Sequence, residues 1–151
     1  MSRIDPADSA PGQSQAMAHG APAAATRRAL TIALADDIAE IQFLARTWLT
    51  GAGHRVLCSE DGRSLLQRVA RERVDLIITD VMMPDGDGFE VIREVRAAHP
   101  SIRIVTMSGG APVMPMAQCL HVAQQLGAHA VLAKPFNRAR LFAAVDAAMA
   151  D

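Results

Sequence analysis

Aromatic side chains are scarce in this 151-residue chain: no tyrosine, one tryptophan and four phenylalanines, 3% in all. A core cannot rest on ring stacking here, so it has to come from aliphatic and Met side chains within the 50% hydrophobic fraction, much of it alanine. Cysteine is equally rare. Cys58 and Cys119 are too few for a disulfide scaffold and lack the CxxC spacing of a zinc site, which points to a reducing, cytoplasmic setting. No apolar run approaches the roughly 18 residues of a membrane span. Nor is there an excess of charge of one sign: 15 Lys and Arg face 16 Asp and Glu. That balance gives no electrostatic footprint for nucleic acid or an anionic membrane, and the length suits one compact domain.

The first 28 residues carry only three large apolar side chains, Met1, Ile4 and Met17, among Pro-, Gly- and Ala-rich runs. They cannot bury enough surface to offset the entropy of ordering, so residues 1–28 are expected to be a disordered tail and 29–151 the folded domain. Arg27-Arg28 resembles a twin-arginine export signal, but the apolar segment after it is five or six residues long and runs into two aspartates, which argues against export.

From Leu30 onward, short apolar runs alternate with segments of helical periodicity, the pattern of an α/β fold with a parallel sheet. Strands are expected at 30–35, 55–59, 74–79, 102–107 and 130–133. Helices should follow each: one from Ile38 stopped by Gly51 and Gly53, then 64–73, one lined by Phe89, Val91, Ile92 and Val95, then 116–126 and 137–149.

This arrangement puts Asp36 and Asp37 after the first strand, Asp80 after the third, Ser108 after the fourth and Lys134 after the fifth. Open parallel sheets bind ligands outside the carboxyl ends of their strands, so these residues should converge. Three clustered carboxylates need positive charge among them, which Lys134 and a divalent cation would supply. An all-oxygen donor set favours Mg²⁺ or Mn²⁺ over zinc.

Asp36-Asp37, the run Asp80-Val-Met-Met-Pro-Asp-Gly, Met107-Ser108-Gly109 and Lys134-Pro135-Phe136, in this order, resemble the receiver domain of two-component response regulators over residues 30–150. The resemblance implies a flavodoxin-like, doubly wound (βα)5 fold with a five-stranded parallel sheet in the order 2-1-3-4-5. It implies that Asp80 accepts a phosphoryl group from a sensor histidine kinase or a histidine phosphotransfer protein. It further implies Mg²⁺ held by Asp36, Asp37, Asp80 and the Met82 backbone carbonyl, phosphoryl contacts from Ser108, Gly109 and Lys134, and a cis peptide before Pro135. Two departures stand out. The family usually carries an aromatic switch residue three positions before the lysine, where this chain has Val131, and the Gly- and Pro-rich stretch 109–115 is longer than usual. The moving part of the switch is therefore expected in that loop. Since the chain ends after the fifth helix, a stand-alone receiver is expected, with output through an unknown protein target or a phosphorelay, on a face formed by the fourth helix, fifth strand and fifth helix.

Simpler roles compete with these. Asp36 and Asp37 could serve only as helix caps, Asp85 and Asp87 read as turn residues around Gly86 and Gly88, and the methionines read as adaptable packing. Trp48 reads as core packing, and His54, His99, His121 and His129 share no spacing that would suggest catalysis. A receiver fold that binds partners without being phosphorylated, and a metal-dependent phosphohydrolase, are the alternative functions. The second would need a further acid where Met82 stands and a substrate-covering cap.

Overall fold

The computed structural model describes residues 28–83, 88–109 and 115–150. Its elements run β1 (Thr31–Ala35), α1 (Ala39–Gly51), β2 (Arg55–Ser59), α2 (Gly62–Arg71), β3 (Leu76–Asp80), α3 (Gly88–Ala98), β4 (Arg103–Ser108), α4 (Met116–Leu126), β5 (Ala130–Ala133) and α5 (Arg138–Met149). All strand pairs are parallel and the sheet order is β2-β1-β3-β4-β5. The central strands are buried on both faces, which is why β3 reads as an unbroken aliphatic run.

Strand alternation divides the core into two. Ala33, Leu57, Ile77 and Ile104 pack against Leu65 and Val69 of α2, Val91, Ile92 and Val95 of α3, and Cys119 and Ala123 of α4. On the opposite face Ile32, Leu34, Leu76, Ile78, Val105, Met107 and Leu132 meet Ala45 and Leu49 of α1 and Leu141, Val145 and Ala148 of α5, with Trp48 partly buried beside them. Neither cysteine is in a disulfide.

Several boundaries differ from the sequence expectation. α2 spans 62–71 rather than 64–73, because the Asp61 carboxylate caps it by accepting from the Ser64 amide at 2.8 Å. β3 begins two residues later than expected and includes Asp80. Asp75, just before the strand, still joins both neighbours by backbone, its amide donating to Thr31 O at 2.9 Å and its carbonyl accepting from Arg103 N at 3.1 Å, while its carboxylate accepts from Thr31 N at 2.9 Å and pairs with Arg28 at 3.5 Å. β4 likewise begins one residue later and takes in Ser108. Asn137 caps α5 rather than starting it. The expected tail up to residue 27, the turn with Asp85, Gly86 and Asp87, and loop residues 110–114 lie outside the described residues.

Two histidines without an assigned role turn out to finish the sheet. His54 and His129 each stand immediately before an edge strand, and each accepts a backbone amide of the inner neighbour at Nδ1. Leu30 N donates to His54 and Ile104 N to His129, both at 3.0 Å. An accepting Nδ1 must be unprotonated. Burial, helped by the positive charges of Arg103 and Arg96, holds the His129 imidazole below its ordinary pKa of 6.5.

Gly88 opens α3 hard against the end of β3, and its amide donates to Val81 O at 3.0 Å. A Cβ there would fall on the Asp80 carbonyl oxygen and lie 2.5 Å from Val81 Cα. Gly88→Ala should therefore lower the unfolding free energy by roughly 1–3 kcal/mol, measured by urea titration, since the obstruction is backbone and cannot rotate away.

A second expectation concerns pH. Because the folded His129 pKa lies below the unfolded one, the unfolded chain binds more protons as pH falls through 6.5, and stability is lost until the folded value is passed. His129→Asn places an unprotonatable oxygen near the position of Nδ1. The melting temperature of wild type should then fall more between pH 7.5 and 5.5 than that of the variant, and equal falls would rule out this role for His129.

Candidate functional site

The carboxyl ends of the strands bring together what the sequence scatters. β1 delivers Asp36 and Asp37, β3 ends in Asp80, and one carboxylate oxygen from each of the three lies within 4.8 Å of the others. Alternation explains the convergence: Asp36 continues the face of Ile32 and Leu34, and Asp80 that of Leu76 and Ile78.

Lys134, which directly follows β5, reaches across the sheet to both of the buried acids. Its Nζ donates to Asp80 Oδ2 at 2.6 Å and stands 2.8 Å from Asp36 Oδ2. The Asp36 side chain is fully buried, while those of Asp80 and Lys134 are 7% and 10% exposed. The Lys134–Pro135 peptide is cis. Gly109 lies against the lysine stem, where a Cβ would sit 3.6 Å from Lys134 Cβ, and Lys134 N donates to Ser108 O at 3.0 Å.

The remaining carboxylate oxygens are held by backbone. Asp36 Oδ1 accepts from Ile38 N at 2.8 Å, and Asp80 Oδ1 from Met82 N at 3.0 Å. The acids are not helix caps: Ile38 occupies the N-cap of α1 and offers no side-chain hydrogen bond. A helix that starts on a hydrophobic residue, two positions after an aspartate, leaves both acids for the pocket.

Burial pushes the Asp36 carboxyl above its ordinary pKa, although the Lys134 ammonium and the Ile38 amide pull the other way. Burial pulls the Lys134 ammonium down, but the adjacent Asp36 and Asp80 carboxylates outweigh that and leave it raised. One ammonium against three carboxylates leaves negative charge in excess. Asp36 Oδ2 has no hydrogen bond of good geometry among the described residues and meets the ammonium only as an ion pair. An all-oxygen pocket with an under-satisfied buried carboxylate oxygen and an exposed third acid fits a hard divalent cation.

Ser108 ends β4 on the opposite strand face, buried at the rim of the pocket. Val131 is half-buried on β5 and pairs in register with Thr106, whose Oγ1 is buried with no hydrogen-bond partner among the described residues. What sequence reasoning missed is Gln42, in the first half of α1, which donates to the carbonyls of both Asp36 and Ser59. Its only advance signal was a polar residue on the half-buried side of the helix directly after the acidic pair.

Comparison with known proteins agrees with this geometry. The response regulator receiver domain matches residues 32–146. Among curated relatives, the DNA-binding transcriptional regulator NtrC of Azospirillum brasilense is 34% identical over 80% of this chain and 24% of its own length. The transcriptional regulatory protein GltR of Pseudomonas aeruginosa is 34% identical over 78% of this chain and 48% of its own. The chain thus spans a quarter to a half of these relatives. Among solved structures, the chemotaxis response regulator CheY4 of Vibrio cholerae superposes with a TM-score of 0.72 at 27% identity, covering 81% of this chain and all of that one. With its 2-1-3-4-5 parallel sheet and a family match over most of its length, the chain belongs to the receiver domains of two-component response regulators.

Proposed function

We propose that this chain is a phosphorylation-controlled signalling module whose Asp80 takes a phosphoryl group from the phosphohistidine of a histidine kinase or phosphotransfer protein. The observation that carries the reading is the Asp80 carboxylate itself, buried at the end of β3 with the Lys134 ammonium 2.6 Å away and two further acids beside it. An Asp80 oxygen forms the new bond to phosphorus as the bond to the donor imidazole nitrogen breaks, and the imidazole leaves with a proton from solvent. Lys134 pairs with a phosphoryl oxygen as a compact cation. Ser108 donates its hydroxyl hydrogen to another, beside the Gly109 amide.

Asp36, Asp37, Asp80 and the Met82 carbonyl would hold Mg²⁺, with Mn²⁺ a substitute. When bound, the cation neutralises charge on the transferring group. Asp36, fixed by the Ile38 amide, and Asp80, fixed by the Met82 amide, are oriented before any ligand arrives. The approach of the donor is marked by exposure: Ile38, Phe43 and Leu44, the exposed large hydrophobics among the described residues, all lie at the start and first half of α1, next to the acidic pair. Such a patch suits an apolar helix surface of the donor.

Output passes to a protein partner. An open groove lined by Leu120 of α4, Val131 of β5 and Arg140 and Ala143 of α5 offers the contact face, and the short Val131 side chain keeps it free of a swinging ring. A rotamer switch of a ring at position 131 is then not available to report phosphorylation. A reducing, cytoplasmic setting fits two cysteines that form no disulfide; among the described residues no helix is long and apolar enough to cross a membrane.

Incubation with acetyl phosphate and Mg²⁺, followed by intact-mass measurement, should add about 80 Da, one HPO₃ unit, to wild type and nothing to Asp80→Asn. An unmodified wild type would leave the non-phosphorylated interaction module as the better reading, and an adduct retained in the variant would remove Asp80 as the acceptor.

Lys134→Met removes the cation that shares the pocket with the metal. It should cost roughly 3 kcal/mol without metal, because Asp36 and Asp80 lose a buried partner. Mg²⁺ should bind roughly tenfold more tightly, on the scale of repulsion between neighbouring cations in a wet pocket. The melting temperature should therefore rise more on adding Mg²⁺ in the variant than in wild type. A smaller rise would mean that ammonium and metal do not compete.

A further inference from the structure

Gln42 is half-buried near the start of α1, and its amide nitrogen donates to two carbonyl oxygens outside its own helix: Asp36 O at 2.6 Å and Ser59 O at 2.7 Å. Both acceptors stand where β1 and β2 part. The last rung between those strands is a long one, Asp36 N to Ser59 O at 3.3 Å, after which β1 turns into α1 and β2 into α2. Gln42 supplies the Asp36 carbonyl with a donor beyond the ladder and adds a second, shorter hydrogen bond to the Ser59 carbonyl of the last rung.

The Asp36 carbonyl belongs to the planar peptide unit that joins Asp36 to Asp37, so fixing its direction also fixes the amide nitrogen of Asp37. Together with the Ile38 amide on Asp36 Oδ1, this pins the first acid through both backbone and side chain. The exposed carboxylate of Asp37 makes no hydrogen bond among the described residues, so its placement depends on the backbone beneath it. A glutamine fits this task by its donors. Two hydrogens on one planar nitrogen serve two acceptors, which glutamate cannot do, and asparagine is one methylene too short.

We propose that Gln42 is a positioning residue for the cation pocket: by clamping the β1 and β2 ends, its amide sets the spacing of Asp36 and Asp37 relative to Asp80 and thereby the affinity for Mg²⁺. The proposal rests on the reading of the pocket as a Mg²⁺ site. The clamp touches neither the metal nor the phosphoryl group and acts only through the Asp36–Asp37 peptide.

The test is calorimetric titration of Mg²⁺ into the full chain, wild type against Gln42→Met, at a temperature where circular dichroism shows both folded. Methionine keeps the length and removes the donors. The dissociation constant for Mg²⁺ should rise about tenfold, the scale on which groups that orient metal ligands act. Phosphorylation by acetyl phosphate should slow at low Mg²⁺ and recover at saturating Mg²⁺, which general loosening of the fold would not produce. Gln42→Asn, which keeps the donors but shortens their reach, should weaken Mg²⁺ binding in the same direction and serves if the Met variant does not fold. A dissociation constant within twofold of wild type in the folded variant, with only the melting temperature lowered, overturns the proposal and leaves Gln42 a plain tie between strands. Failure of wild type itself to bind Mg²⁺ overturns the metal reading along with it.

Discussion

The Lys134 ammonium, shared between Asp36 and Asp80, is the contact on which the site depends. It starts from the edge strand β5 and crosses β4 to reach the ends of β3 and β1, so three strands that are not all neighbours share one small volume of charge. Taking an ammonium and two carboxylates out of water is costly, and the arrangement tolerates that cost because each carboxylate also accepts a backbone amide. The excess of negative charge that remains makes the pocket receptive to a second cation.

Fold and site were legible to different depths. The five strands and five helices follow from apolar runs and helical periodicity, because a sheet buried on both faces forces uninterrupted aliphatic strands such as Leu76–Thr79. Convergence of Asp36, Asp37, Asp80 and Lys134 followed from a single topological rule, that strand ends of a parallel sheet point to one side. Within the elements, boundaries moved by one or two residues, at two helix starts because a side chain takes a backbone amide: Asp61 sets the start of α2, and Asn137 caps α5 rather than opening it.

Contacts between side chains and distant backbone were not legible. Nothing near His54 in sequence marks Leu30 N as its donor, 24 residues away, and nothing near His129 marks Ile104 N, 25 away. The same holds for Gln42 and Ser59, 17 residues apart. Such contacts have no periodicity and no motif; they exist because strands adjacent in space leave unpaired amides and carbonyls where the ladder begins and ends. In each case a residue that passes for loop or helix surface in sequence completes hydrogen bonding at a sheet boundary.

The two-sided core gives the rim of the sheet a mechanical character. Asp36 and Asp80 hang from the face that packs on α1 and α5, whereas Ser108 belongs to the face that packs on α2, α3 and α4. A group seated among them would be gripped by both helical layers at once, with the sheet edge as a fulcrum between them. The two close-packed halves of the core, otherwise separated by the sheet, thus come together at the strand ends, each through its own strand face.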